Sequence, residues 1–103
     1  MSCIGRYLIM QNTTLFLIQA SYNSLDKIWN DLMQMAQSSD HIVLMGDAAL
    51  HIPSIIMQKF SHLYCLEIEQ SLLNSTIKAQ IKGLKYTDFA DLILQFSRCV
   101  SLK

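Results

Sequence analysis

The fold of this chain is clearest in one stretch near its middle, Ser39-Asp40-His41-Ile42-Val43-Leu44-Met45-Gly46-Asp47. The apolar run from 42 to 45 is continuous rather than alternating, and polar residues bound it on both sides. Such runs are typical of strands in a parallel sheet, because helices cover both faces of those strands. The stretch therefore predicts a buried parallel strand that ends at Gly46 and Asp47.

A strand pattern and a helix pattern precede this stretch. The residues from Thr13 to Ile18 are β-branched and apolar, as in a buried strand. Asn23 or Ser24 can cap the helix that follows, which we expect to end near Asp40. The apolar residues of that helix fall on one face and are Leu25, Ile28, Trp29, Leu32, Met35 and Ala36.

The same alternation continues downstream. Residues 48–50 predict a short helical stretch, and Pro53 suits the first turn of a helix over about 54–60. Residues 62–68 predict a strand, and residues 69–74 a helical turn.

The C-terminal part repeats the pattern once more. Residues 83–86 predict a strand, Thr87 a helix N-cap, and residues 99–102 a final strand. The helix carries a core-facing stripe of Phe89, Leu92, Ile93 and Phe96. Together these patterns predict a single small α/β domain, with a mostly parallel sheet covered by helices on both faces.

Composition narrows the class of protein. The 103 residues are 51% hydrophobic and 16% charged, so we expect one compact domain whose surplus apolar surface lies at a subunit contact. Eight basic residues balance eight acidic ones, which argues against direct nucleic-acid binding. The first ten residues are too short and polar for a secretion signal or membrane span, and the three cysteines are odd in number. We expect a soluble, reduced, cytoplasmic protein.

No motif for a cofactor, metal or catalytic centre stands out. The glycines at positions 5, 46 and 83 are too dispersed for a phosphate-binding loop. The histidines are His41, His51 and His62, each in a different segment. His62 and Cys65 are three apart on a predicted strand, so they point to opposite faces and suit a shared metal ion poorly.

The cysteines and one aspartate are the remaining candidates for chemistry. Cys65 fits a buried strand position, Cys99 follows Arg98 in a terminal strand, and Cys3 lies in the N-terminal tail. None lies at a loop-to-helix junction, where a reactive thiolate is favoured, so we interpret all three as structural or incidental and not catalytic. Asp47 follows a buried strand, where ligands bind in parallel sheets, but a turn or capping role is favoured.

Three segments resemble the TusB/DsrH family of sulfur-relay proteins. Residues 39–47 resemble its segment in which a polar turn leads to an apolar strand with an acidic end. Leu63-Tyr64-Cys65-Leu66 resembles its third strand, and Lys85-Tyr86-Thr87-Asp88-Phe89-Ala90-Asp91-Leu92 its most distinctive block. The resemblance begins at about Leu15, so residues 1–14 are assigned to an N-terminal extension and 15–103 to a DsrEFH-like, flavodoxin-like domain.

The resemblance implies a partner role without catalysis. Members are subunits of a hetero-oligomer of three related α/β chains, whose sulfur-accepting cysteine belongs to a sister subunit. The implied function is a non-catalytic subunit of a sulfurtransferase complex that passes persulfide sulfur toward 2-thiolation of the tRNA wobble uridine. The link to tRNA is indirect, through TusC/TusD-like subunits, and no membrane is involved.

The chain departs from the family pattern at several positions. Leu32 occupies the place of the first-helix cysteine in DsrH-type members, which favours the TusB branch over sulfur oxidation. Ala48 replaces a usual glycine, and the C-terminal tryptophan is missing. The alternative is a stand-alone, homo-oligomeric DsrE-like sulfur carrier that uses Cys65 or Cys99. A small-ligand-binding module ranks last, since no cofactor motif is present.

Overall fold

A computed structural model describes residues 13–103, which form an α/β domain around a five-stranded, fully parallel sheet. The strands lie in the order β4-β3-β2-β1-β5. Their bounds are β1 Leu15–Gln19, β2 His41–Met45, β3 His62–Leu66, β4 Lys82–Leu84 and β5 Cys99–Leu102. The prediction of a mostly parallel α/β fold is confirmed.

Six helices and one 3-10 turn connect these strands within the described residues. The turn spans Tyr22–Ser24. The helices are α1 Leu25–Met35, α2 Asp47–Leu50, α3 Ser54–Lys59, α4 Glu67–Gln70, α5 Ser75–Lys78 and α6 Tyr86–Leu94. The last helix carries the chain from β4 at one edge of the sheet to β5 at the other.

The strand register brings the first residues of neighbouring strands to the same level. Leu15 of β1 pairs with His41 of β2 on one side and Cys99 of β5 on the other. His41 in turn pairs with His62 of β3. Because alternate residues of a strand point to opposite faces, these residues project on the same side of the sheet.

The hydrophobic core is divided between the two faces of the sheet. The larger cluster joins Phe16, Ile42 and Cys65 of the strands to buried side chains of α1, α2 and α3. The smaller cluster packs α6 onto the other face and consists of Leu15, Val43, Leu84, Leu92 and Phe96, with Phe89 and Ile93 partly buried against it. The predicted stripe of α6 therefore faces the core, and helices cover both faces.

Several predicted element boundaries were wrong. The third strand ends at Leu66 instead of Ile68, because α4 begins at Glu67 and carries Ile68 into solvent. Helix α6 starts at Tyr86 with Lys85 as its N-cap, so Thr87 is not the cap. Met35 was assigned to the apolar face of α1 but is exposed. The sequence patterns also missed α5.

The side chain of Asp40 links the segment that follows α1 to the residue before β1 by hydrogen bonds. Its Oδ1 accepts a hydrogen bond of 2.9 Å from the backbone N–H of Thr14, and its Oδ2 accepts one of 2.8 Å from that of Gln37. The carboxylate is buried, so both oxygens are satisfied where water does not reach them.

The sequence analysis assigned residues 1–14 to an N-terminal extension. Residues 1–12 of this segment lie outside the described residues. No helix between residues 13 and 103 has the length and apolar character needed to cross a bilayer.

Candidate functional site at the carboxyl edge of the sheet

The carboxyl end of β2 is shaped by Gly46. Its φ of 63° and ψ of −135° lie in a region that residues with a Cβ rarely adopt, so glycine is favoured here. The turn places Asp47 at the first position of α2. The Asp47 Oδ2 accepts a hydrogen bond of 3.1 Å from the backbone N–H of Tyr22, which follows β1. Asp47 thus links the turn after β2 to the connection between β1 and α1, in line with its interpretation as a turn residue.

A second carboxylate reaches the same turn from α4. The Oε2 of Glu69 accepts a hydrogen bond from the backbone N–H of Gly46. The other carboxylate oxygen, Oε1, is buried and has no hydrogen-bond partner among residues 13–103. Glu69 therefore holds the turn from one side and keeps one unused acceptor at the carboxyl edge of the sheet.

The thiol of Cys65 lies inside the core. The residue is 0% exposed and belongs to the larger hydrophobic cluster. Burial, and then the negative charge of Glu69, raises the pKa of this thiol to about 11. At neutral pH Cys65 is therefore a protonated, enclosed thiol rather than a nucleophile.

A cleft of about 450 Å³ opens beside these turns. It lies between the N-terminal end of α1 and the connection from α2 to α3, near the carboxyl end of β1. Its ionisable lining residues include Asp26 and His51, and the His51 ring meets Tyr22 edge to face with centroids 4.8 Å apart. The cleft presents hydrogen-bonding groups, but neither Cys65 nor Cys99 lines it.

The other two histidines lie at the opposite, amino edge of the sheet. The rings of His41 and His62 are stacked, and the Nδ1 of His41 forms a hydrogen bond of 2.8 Å with the Tyr64 hydroxyl. The side chains of His62 and Cys65 lie on opposite faces of the sheet, as strand geometry predicts. Cys65 packs in the larger cluster, whereas His62 lies against His41 on the face covered by α6. Among the described residues, no group of three His, Cys, Asp or Glu side chains could hold a metal ion.

The amino-edge cluster was missed by sequence reasoning. Burial, reinforced by the neighbouring His62 and opposed by Asp40, lowers the pKa of His41 to about 4. Burial also raises the pKa of Tyr64. The available signal was that His62 begins one predicted strand and His41 directly precedes another, but only the register shows that they face each other.

Cys99 is the exposed thiol among the described cysteines. It begins β5, which among residues 13–103 pairs with β1 alone and so forms one edge of the described sheet. The carboxyl-edge turns and Cys99 are therefore not brought together: Cys99 is level with Leu15, at the amino end of β1. Cys3 lies outside the described residues.

Comparison with known proteins identifies no relative: no family model, curated protein or solved structure matches the chain.

Proposed function

We propose that this chain is a non-catalytic subunit of a cytoplasmic sulfur-relay complex. In this role it assembles with TusC/TusD-like α/β subunits, and the complex passes persulfide sulfur toward 2-thiolation of the tRNA wobble uridine. The observation that carries the proposal is the state of Cys65, the cysteine within a family-like strand segment. It is enclosed by the core and its pKa is raised to about 11, which suits a scaffold and not a sulfur acceptor.

The placement of the three family-like segments also supports the proposal. The first forms β2 and the second forms β3, which are neighbours in the sheet. The third begins α6, and its Leu92 packs with Val43 of β2 in the smaller core cluster. Segments that are separate in sequence thus lie in one continuous part of the domain.

One observation favours the alternative, a stand-alone homo-oligomeric sulfur carrier. Cys99 is exposed, and a thiol must be accessible to accept and release sulfur. The same alternative using Cys65 has no such support, because that thiol is enclosed. The two functions therefore differ in one testable property, which is whether Cys99 carries sulfur.

The test is purification of the tagged full-length chain from its own cells, with rapid alkylation and intact-mass measurement of persulfide on every thiol. We expect two related α/β subunits to co-purify, with the persulfide on a cysteine of one of them. A Cys99→Ser variant should keep that persulfide and normal tRNA 2-thiolation. The matched control is Ser101→Ala, an exposed position on the same strand.

The opposite result has a distinct signature. Recovery of the chain without related subunits, carrying a persulfide on Cys99, would refute the scaffold role and establish the carrier. In that case Cys99→Ser should abolish the persulfide whereas Ser101→Ala should not.

A further inference from the structure

Large apolar side chains are exposed where β3 and β4 end. Ile68 in α4 is 69% exposed, and Tyr86 at the start of α6 is 72% exposed. Leu72, in the turn that follows α4, is 68% exposed. Exposed apolar groups that are contiguous mark interaction sites more often than isolated ones do.

Ile68 and Tyr86 flank a small cavity of about 180 Å³. Leu66 and Leu84, the last residues of β3 and β4, also line it. Its walls are mainly apolar, and β4 is an edge strand, so no further strand of the described sheet continues past this side. We call the cavity and its flanking residues the Ile68–Tyr86 surface. The cavity volume is large enough for one apolar side chain.

Opposite charges complete this surface. Glu67 lines the cavity from the junction of β3 and α4, and Lys85 lines it from the junction of β4 and α6. Both side chains are exposed. An acidic partner surface would match Lys85 but repel Glu67, and a basic one would do the reverse. A surface that carries both signs around an apolar centre is matched by a second copy of itself.

We propose that the Ile68–Tyr86 surface is a two-fold interface between two copies of this chain. In such an interface, each contact between two residues occurs twice, so Glu67 of each copy faces Lys85 of the other. The apolar side chains of each copy then cover the cavity of the other, and the two ion pairs lie at the polar rim. This inference does not rest on the sulfur-relay function.

Charge exchange tests this geometry directly in the purified full-length chain. We expect the wild type to form dimers in a concentration-dependent manner in sedimentation equilibrium. Glu67→Lys and Lys85→Glu should each place like charges opposite each other and weaken the dimer by several-fold. An equimolar mixture of these two variants should form a heterodimer, because both contacts then join opposite charges. The double variant Glu67→Lys/Lys85→Glu should recover the homodimer.

A second pair of variants tests the apolar centre. Ile68→Asp should raise the dimer dissociation constant by about tenfold or more, since central apolar positions dominate interface energetics. The matched control is Leu94→Asp, because Leu94 is 82% exposed on α6 and does not line the cavity. It should dimerise like the wild type, and circular dichroism should confirm that each variant is folded.

Three outcomes would overturn the proposal. The first is a wild type that stays monomeric at every concentration. The second is a dimer that neither Ile68→Asp nor the charge variants weaken. The third is capture of a related α/β subunit that Ile68→Asp abolishes while the purified chain remains monomeric, which would assign the surface to a different partner. None of these outcomes depends on where persulfide resides, so the sulfur-relay proposal is tested separately.

Discussion

His41 and His62 stack face to face, with ring centroids 4.2 Å apart and planes within 3° of parallel. The parallel register of β2 and β3 pairs these two residues. The Tyr64 hydroxyl and the edge of the Phe96 ring enclose His41 further. Burial, reinforced by the neighbouring His62, therefore disfavours a positive charge on His41.

This cluster predicts acid-sensitive stability. The pKa of His41 is about 4 in the folded chain and about 6.5 in an unfolded one, so the unfolded state binds more protons between these values. The contribution of uncharged His41 to the free energy of unfolding should be fully present above about pH 6.5. The free energy of unfolding should therefore fall by up to about 3 kcal/mol as the pH drops to about 4. Urea denaturation at a series of pH values measures this free energy.

His41→Gln should flatten that pH dependence, because the titrating group is removed. The matched control is His51→Gln, since His51 is exposed and lies at the other edge of the sheet. Equal pH slopes for the wild type and His41→Gln would show that another group is responsible.

Asp40 should contribute strongly to stability. Asp40→Ala leaves the backbone N–H groups of Thr14 and Gln37 without their acceptors, so the free energy of unfolding should fall by about 2–3 kcal/mol. Ser39→Ala, at the exposed neighbouring position, should change it by less than about 0.5 kcal/mol. Chemical denaturation compares the two, and equal effects would contradict the assigned role.

The two described thiols should differ in reactivity. In a Cys3→Ser background at pH 8, one iodoacetamide adduct should form on the native chain and a second only after denaturation. Cys99 is exposed, whereas Cys65 is enclosed and its pKa is raised to about 11. Intact-mass measurement counts the adducts. Adding Cys99→Ser should remove the native adduct, and its persistence would mean that Cys65 is accessible.

Gly83 and Gln70 should be energetically coupled. A Cβ at position 83 would lie 2.8 Å from Cδ of Gln70, whose Nε2 donates a hydrogen bond of 2.8 Å to the Ile81 carbonyl. Gly83→Ala should displace that side chain and cost about 1–2 kcal/mol. With Gln70→Ala already present, the same substitution should cost about 1 kcal/mol less. Strict additivity in urea denaturation would contradict the contact.

Local patterns were sufficient to predict the fold class. The continuous run at 42–45 predicted β2, and the spacing of Phe89, Leu92, Ile93 and Phe96 predicted the buried face of α6. The first signal is a continuous buried run and the second is a stripe repeated at the helical period, and a sequence displays both directly. The end of β3 at Leu66 and the start of α6 at Tyr86 could not be predicted in this way. The chain turns at these positions as it leaves the sheet, and the turn overrides the strand preference of the side chains.

The candidate site was only partly visible in the sequence. The buried place of Cys65 could be predicted from its apolar strand neighbours. The hydrogen bond from Tyr22 to Asp47, and that from Gly46 to Glu69, could not, because each joins separate connections at the carboxyl edge.

The amino-acid sequence alone therefore sets the α/β class, the mostly parallel sheet and most of the buried faces of α1 and α6, because these follow from continuous apolar runs and from helical apolar spacing. Only the assembled sheet sets the stacking of His41 on His62 and the exposure of Ile68 beside Tyr86. These features depend on strand order and register, which bring together residues that no local pattern connects.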